Sequence, residues 1–537
     1  MTAIERLRGA LPRRDKRISS GTPRTAAAAR AFVAELPPAD LVQSAQRLLD
    51  TVDDLNRSRL RPAARLALLE ALRPGVRQLA ETMEKQLGSV GLPLPPVRLA
   101  LAQRVLELQG ELALGYQEVV LDSIGRRGRP SWWTRRRVRV ALQRAIHHRG
   151  LAIAGAYLLF RAPRPGEWAA LHDLARLAHD LGLASLPVED PLEKRRCSPE
   201  QSFGEIVLLA LCNPYRFSQR EQLQLRRAMP WMIAECRLGL GLSTGFPIPE
   251  GEDRPPGHPP EGEEEAGRPA YRLDLGALAG RFEAELGQGA DLVEARGLRG
   301  GREPLPAYLA RRCLQSWQAE SARVRRRLPG GHRLDLVVGL SQLRLALGAE
   351  EPAPARQGAA AARPRGEKLA LGSAEVRDQS LGGYLLSWTP RDPIKVRVGE
   401  VVGLALPVED EREREWMLGT VRWLRFAAGE RLEFGVELLS FRPFPVAVEL
   451  RAGSAPGLLF APLRPGAAAP QLLVPATAES VLAGRGEVVA RSEGAAAEVA
   501  WPPGHRAKLV EALADYLVLE PVAAEAAAAA EPVEAAA

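Results

Sequence analysis

Two short groups of polar residues in the second half of the chain have the residue types of a binding site. Arg323 and Arg327 form an R-x-x-x-R pattern, and Asp378, Ser380 and Gly383 form a D-x-S-x-x-G pattern. A guanidinium can grip a phosphate as a fork, stack on a ring or donate to a base edge. A carboxylate accepts from N–H donors, and a glycine lets the backbone approach closely. These residue types favour the binding of an anionic ligand.

Short β-branched or aromatic runs, separated by turn residues, surround both patterns. The predicted strands are 333–338, 384–388, 395–406, 417–425, 431–439 and 446–450. Short strands at this spacing predict a small antiparallel barrel or sandwich. The R-x-x-x-R pattern comes just before the first strand, and D-x-S-x-x-G is followed directly by the strand 384–388.

This order of patterns and strands resembles the PilZ domain, a bacterial receptor module for cyclic di-GMP. The later segments 419–423 (GTVRW) and 434–438 (FGVEL) also resemble strands of that family. The resemblance implies that Arg323 and Arg327 contact guanine and phosphate. It also implies that Asp378, Ser380 and Gly383 form the opposing surface. No cofactor or metal is implied beyond this ligand.

Fifty residues separate Arg327 from Asp378, so the domain must contain an insertion that includes the apolar run 334–347 and the low-complexity loop 349–366. Arg363 and Arg365 lie closer to Asp378 and can substitute for the paired arginines. A structural alternative places the arginines in the last turn of a solvated helix, where they complement its dipole. For Asp378 and Ser380 the alternative is a side-chain-stabilised turn before a strand.

Apolar residues recur at three- and four-residue steps over about 38–240, and prolines including Pro62, Pro74, Pro96 and Pro199 divide this region into about seven helices. Two further helices are predicted over 273–287 and 305–327.

The predicted organisation is a basic arm (1–37), a helical domain (38–245), an acidic Pro- and Gly-rich linker (246–271), a helical connector (272–322), a PilZ-like barrel (323–452), a smaller β unit ending in a helix over 505–516 (453–519), and a disordered Ala- and Glu-rich tail (520–537).

Composition narrows the class of protein. The 537 residues include 46% hydrophobic residues, which excludes a wholly disordered chain. The net charge of +8 is too small to indicate nucleic acid by itself. Four cysteines without a C-x-x-C pair indicate neither a zinc site nor a disulfide framework. With no apolar run long enough for a membrane span or a signal peptide, we expect a cytoplasmic protein.

The segment from Arg126 to Arg139 combines seven arginines with Trp132 and Trp133. These residue types can track phosphates and stack on bases, or contact acidic lipid headgroups. The preferred interpretation is a solvated helical face with two packed tryptophans. A role for nucleic acid in this protein is not expected.

The sequence therefore predicts a multidomain fold: an all-α N-terminal domain, a PilZ-like antiparallel β-barrel and a possible second small β unit. The expected function is that of a non-catalytic effector, in which cyclic di-GMP at the barrel changes how the helical domain engages a protein partner that the sequence does not identify. One alternative is a degenerate PilZ barrel that acts as a scaffold without ligand. Another is nucleic-acid or anionic-membrane binding through residues 126–139.

Overall fold

The chain folds into two compact units in the computed structural model. The first unit comprises residues 1–90, 94–214 and 219–320, and the second comprises 91–93, 215–218 and 321–537. The structure describes residues 2–14, 18–88, 90–125, 128–257, 271–294, 303–318, 327–349, 368–389, 394–410, 413–427, 430–450, 453–463, 469–478, 489–492, 499–513 and 515–523.

The first unit is mainly helical. Its described helices are α1 (Ala3–Gly9), α2 (Ala26–Ala34), α3 (Leu41–Arg57), α4 (Pro62–Leu87), α5 (Pro96–Ile124), α6 (Arg135–Leu158), α7 (Glu167–Asp180), α8 (Pro199–Leu211), α9 (Gln219–Met232), α10 (Gly276–Gly287) and α11 (Ala307–Gln318). Short antiparallel pairings join β1 (Val188–Asp190) to β2 (Arg195–Cys197), β5 (Tyr271–Asp274) to both β3 (Arg237–Leu240) and β4 (Phe246–Pro247), and β6 (Leu292–Val293) to β7 (Leu305–Pro306). No helix in these described stretches is long and apolar enough to cross a bilayer.

Prolines mark where several of these helices begin. Pro62, Pro96 and Pro199 occupy the first turns of α4, α5 and α8, where no N–H is needed for a helical hydrogen bond. The prediction that Pro74 divides two helices is wrong, because α4 continues through it. The buried leucines and valines of α4 recur on both sides of Pro74, so tertiary packing holds the helix together across this position.

The helical unit has charged groups in its interior. Arg65 on α4 and Glu118 on α5 are both fully buried, and Arg65 Nη2 lies 2.8 Å from Glu118 Oε2. Arg73 donates to Asp190 at 2.8 Å, and both side chains are 2% exposed. Buried charges of this kind persist only when they are paired, because an isolated ion loses its hydration.

Segments predicted as a basic arm and as a linker are in part packed on the helical unit. Leu7 on α1 is 1% exposed, and Arg6 Nε donates to Asp173 on α7 at 2.9 Å. Asp253 accepts from the backbone N–H groups at the start of α7, at 2.6–3.2 Å. Ile248 is also buried. Residues 246–257, predicted as part of the linker, therefore pack in part on the helical unit, and residues 258–270 lie outside the described part of the chain.

The second unit contains a closed antiparallel barrel. Its elements are β8 (Leu328–Pro329), β9 (Arg333–Val338), α12 (Leu340–Ala346), β10 (Gly372–Ser380), β11 (Gly383–Trp388), β12 (Val401–Ala405), β13 (Met417–Phe426) and β14 (Leu432–Ser440). The strand order β11-β14-β13-β12-β9-β10 closes through a pairing of β10 with β11, and β8 also pairs with β10. The predicted antiparallel barrel is confirmed, and its first strand, Arg333–Val338, has the predicted bounds.

A second antiparallel sheet follows the barrel. It comprises β15 (Pro443–Leu450), β16 (Gly453–Phe460), β17 (Gln471–Pro475), β18 (Val489–Ser492), β19 (His505–Ala512) and β20 (Tyr516–Ala523), in the order β18-β15-β16-β17-β20-β19. The helix predicted over 505–516 is wrong, because β19 and β20 form a hairpin there. The strand predicted over 446–450 as part of the barrel belongs to this second sheet instead. Residues 520–523, predicted as the start of a disordered tail, complete β20; residues 524–537 lie outside the described residues.

The barrel and the second sheet share a hydrophobic core. Leu340 and Leu343 of α12 pack in one buried cluster with Leu458, Phe460 and other residues of the second sheet. Arg344, 4% exposed, donates through Nη1 to the carbonyls of Val446 (2.7 Å) and Gly457 (2.8 Å). The apolar run that the sequence identified as an insertion thus provides a strand of the barrel and the helix that joins both sheets.

Candidate functional site

The D-x-S-x-x-G pattern forms the hairpin between β10 and β11. Ser380 is the last residue of β10 and pairs directly with Gly383, the first residue of β11. Leu381, at the tip, is 83% exposed. The same end of β10 also pairs with β8, with Asp378 opposite Pro329 and Gln379 opposite Leu328. Arg327 immediately precedes β8, so the sheet brings it to this hairpin.

Arg327 and Asp378 form an ion pair. Arg327 Nη1 donates to Asp378 Oδ1 at 2.5 Å, and the side chains are 46% and 26% exposed. This pairing across 51 positions of sequence juxtaposes the two patterns. Arg323, Arg363 and Arg365 lie outside the described residues.

Ser380 and Gly383 have evident structural roles in the hairpin. The Ser380 hydroxyl accepts from the Gly382 N–H at 3.3 Å, a side-chain-stabilised turn of the kind considered as an alternative from the sequence. Gly383 has φ +154°, and a Cβ at this position would lie 1.9 Å from the Val436 carbonyl oxygen. Only glycine fits where β11 passes so close to β14. The site prediction for these residues remains a prediction.

A row of residues beside Asp378 was missed by the sequence analysis. The strand register places Asp378 opposite Leu385, Leu385 opposite Gly435, and Gly435 opposite Trp423. The Trp423 indole lies over Gly435, where its Nε1 would be 2.2 Å from a Cβ. Trp423 thus presents an aromatic ring in the row that begins at Asp378. A tryptophan opposite a glycine on neighbouring strands was a usable signal, but only once the register was known.

A cluster of charged side chains links the β10–β11 hairpin to the second sheet. Glu437 lies opposite Gly383 in the register of β11 and β14. Arg422 on β13 donates to Glu437 at 2.6 Å and to Glu511 on β19 at 3.0 Å. One guanidinium therefore bridges a carboxylate of the barrel and a carboxylate of the second sheet. Burial raises the pKa of the nearby Tyr384 phenol, which keeps it a neutral donor.

The other candidate segment, 126–139, differs from its preferred interpretation. Trp132 and Trp133 are 76% and 81% exposed, so the prediction that they are packed is wrong. They lie in the turn just before α6, and Arg126 and Arg127 lie outside the described residues. Within the described parts of the chain, no group of three or more His, Cys, Asp or Glu side chains could hold a metal ion.

A closed antiparallel barrel with D-x-S-x-x-G in this hairpin defines the PilZ class of domain, and residues 348–445 match the family model described as "Cyclic-di-GMP receptor FimW, middle PilZ domain". This part of the chain belongs to the PilZ family. Residues 27–242 match the model described as "Cyclic-di-GMP receptor FimW, N-terminal domain". Arg323 and Arg327 precede the matched PilZ segment.

Among curated proteins, the chain is similar to the cyclic-di-GMP receptor FimW of Pseudomonas aeruginosa (strain PAO1). The two are 26% identical over 484 residues, and the alignment covers 78% of this chain and 78% of the relative. The likeness therefore extends well beyond the barrel, into the helical unit.

Proposed function

We propose that this protein is a non-catalytic cyclic di-GMP effector, with its ligand site at the β10–β11 hairpin. The observation that carries the proposal is the contact of Arg327 with Asp378 on a PilZ barrel. The name of the Pseudomonas relative, a cyclic-di-GMP receptor, supports it. Cyclic di-GMP occurs inside bacterial cells, so the proposal also places the protein in the cytoplasm.

The chemistry of the ligand matches the two charged groups. Cyclic di-GMP has two phosphodiester anions and two guanines, whose O6 and N7 accept and whose N1 and N2 donate. On binding, the Arg327 guanidinium exchanges Asp378 for a phosphate or a guanine edge, and the Asp378 carboxylate accepts from guanine N–H groups. Both residues keep a charge-assisted partner, and since they are part exposed the exchange requires little desolvation.

The proposed output is a fixed position for Arg327, directly before β8. A ligand that holds Arg327 against the barrel fixes the chain at the point where it enters the second unit. Fixing this point would alter how the helical unit engages a protein partner. The identity of that partner is not part of the proposal.

Calorimetric titration of the full chain with cyclic di-GMP tests the ligand. We expect saturable binding that weakens about tenfold or more in Arg327→Ala and in Asp378→Ala, because each loses a hydrogen bond to a charged group. Arg333→Ala is the matched control: this exposed arginine lies on β9 and donates to Ser373, so its loss should leave the affinity unchanged.

The same titration separates the ligand proposal from a scaffold without ligand. Absence of binding at tens of micromolar, with the wild-type chain shown to be folded, would support the degenerate barrel. Binding that persists undiminished in both Arg327→Ala and Asp378→Ala would place the ligand elsewhere and reject this site.

A further inference from the structure

The turn before α6 exposes two adjacent tryptophans. Trp132 and Trp133 are 76% and 81% exposed. Their rings meet edge to face, with centroids 4.3 Å apart. Exposed tryptophans are costly to leave in water, because each has a large apolar surface. The two rings together form an apolar projection that the rest of the described helical unit does not cover.

Arginines flank these two tryptophans in the sequence. Arg129 and Arg136 are exposed and Arg137 is half-buried, and among the described residues no hydrogen bond or ion pair is formed by these three side chains. Arg135 donates to the Gly182 carbonyl at 3.2 Å. Arg8 on α1 donates to the Gly125 carbonyl at 2.5 Å, which adds a further exposed cation beside the loop.

The stability of the fold does not explain these charges. Arg135, Arg136 and Arg137 occupy the first turn of α6, which has no acidic residue. The helix dipole places partial positive charge there, so cations in this turn are unfavourable. No Asp or Glu occurs in the sequence between Asp122 and Glu167, and Asp122 is paired with Arg14 at 2.5 Å. A cluster that opposes its own helix dipole and lacks acidic neighbours in sequence is suited to an anionic partner from outside.

We propose that the surface formed by Arg129, Trp132, Trp133, Arg135 and Arg136, the Trp-Arg turn, binds the surface of an anionic phospholipid bilayer. Tryptophan partitions to the boundary between headgroups and acyl chains, and arginine pairs with anionic headgroups at the same depth. A protruding turn can insert two rings at this depth while its cations stay among the phosphates.

The geometry favours a bilayer over a nucleic acid. Successive bases stack on aromatic rings whose faces are open and arranged along a groove. The two rings here are inclined at 80°, with the edge of one against the face of the other, so they do not form a parallel platform.

Flotation of the full chain with lipid vesicles tests the proposal. The protein should float with phosphatidylcholine vesicles that contain phosphatidylglycerol, should bind pure phosphatidylcholine much more weakly, and should be released by high salt. The partition coefficient should fall at least about tenfold in Trp132→Ala/Trp133→Ala, because the inserted apolar area is lost. It should fall about thirtyfold in Arg129→Gln/Arg136→Gln, because two headgroup contacts are lost.

Matched variants elsewhere on the helical unit provide the controls. Arg30→Gln/Arg61→Gln removes two exposed charges, one in α2 and one directly before α4, and Val97→Ala shortens an apolar side chain that is 72% exposed. Both should float like the wild type, and circular dichroism should show unchanged helix content in all variants.

Three outcomes overturn the proposal. The first is equal flotation of the double-tryptophan variant and the wild type. The second is equal binding to neutral and anionic vesicles. The third is a chain that does not bind vesicles but binds a DNA or RNA oligonucleotide in fluorescence anisotropy, with that binding lost in the double-tryptophan variant. This result would identify a nucleic-acid site. None of these outcomes depends on cyclic di-GMP.

Discussion

At the scale of single residues, the candidate site is a pair of opposite charges that satisfy each other. Arg327 and Asp378 would each need a ligand group to replace the contact that they make at 2.5 Å. A part-exposed pair of this kind contributes at most about 1 kcal/mol to stability. The exchange for ligand contacts therefore costs little, and the pair holds both side chains in place for it.

Gly383 gives a residue-scale prediction about the hairpin. In Gly383→Ala the new Cβ would meet the Val436 carbonyl oxygen at 1.9 Å, so β11 must move away from β14. We expect the barrel to lose about 2 to 3 kcal/mol of stability. Hydrogen exchange measured by mass spectrometry should show faster exchange in β11 and β14.

Gly280→Ala provides the comparison for this prediction. Gly280 lies in α10, where a Cβ meets no atom within 4 Å, so alanine there should leave exchange in the barrel unchanged and slightly favour the helix. Wild-type exchange rates in β11 and β14 of Gly383→Ala would contradict the close contact.

Residue types were readable from the sequence, but their proximity was not. The D-x-S-x-x-G pattern identified the hairpin, since a turn with Ser and Gly between two β runs has a definite local structure. The fifty residues between Arg327 and Asp378 seemed to separate the two patterns. They do not, because β8 and β9 both pair with β10 and return the chain to the same edge. Trp423 was missed because cross-strand neighbours depend on register, which local periodicity does not fix.

At the scale of elements, β9, β11, β13 and β14 lie within one residue of their predicted bounds, whereas β12 is shorter than predicted and β10 was not predicted as a strand. Two elements outside the barrel also differ from the prediction. The apolar residues of 505–516 fit the period of a helix as well as that of a strand. Pairing with β20 makes residues 505–512 a strand. The strand that contains 446–450 was correctly identified as β, but its partners are β16 and β18. Strand pairing depends on tertiary contacts. Composition therefore predicts that a strand exists more reliably than it predicts which sheet contains the strand.

The buried contact of α4 with α5 predicts a pH dependence of stability. Burial raises the pKa of Glu118 to about 7 from its ordinary 4.5, even with Arg65 at 2.8 Å. The folded state therefore holds a proton that the unfolded chain has lost between about pH 4.5 and 7. The resulting stabilisation is complete below about pH 4.5 and is lost as the pH rises through 7, a change of up to about 3 kcal/mol.

Glu118→Gln should remove this dependence, because the amide does not titrate. Thermal unfolding of the helical unit, followed from about pH 5 to 8, should show a smaller decline with pH for the variant than for the wild type. Glu81→Gln, on an exposed part of α4, serves as the control and should keep the wild-type slope. Parallel curves for Glu118→Gln and the wild type would mean that Glu118 ionises normally.

At the scale of the whole molecule, the barrel is joined to the second sheet by apolar and by charged contacts. It shares a hydrophobic core with the second sheet, and α12 contributes to that core. Arg422 adds a polar link, since it joins Glu437, opposite Gly383, to Glu511 on β19. A ligand that fixes the hairpin therefore has a short physical route to the edge of the second sheet.

Arg422→Gln tests this route. We expect cyclic di-GMP to protect β19 from hydrogen exchange in the wild type and not in Arg422→Gln, because Glu437 and Glu511 lose the cation that holds them together. Arg425→Gln is the matched control on the same strand: Arg425 pairs with Glu433 at 2.8 Å, a contact that stays within the barrel. It should keep the protection of β19.

Protection that survives in Arg422→Gln, with ligand affinity intact in calorimetry, would show that the shared apolar core alone transmits the signal. If the wild type binds no ligand, the proposed function itself has failed, and the contribution of Arg422 would then appear only as a loss of stability in unfolding measurements.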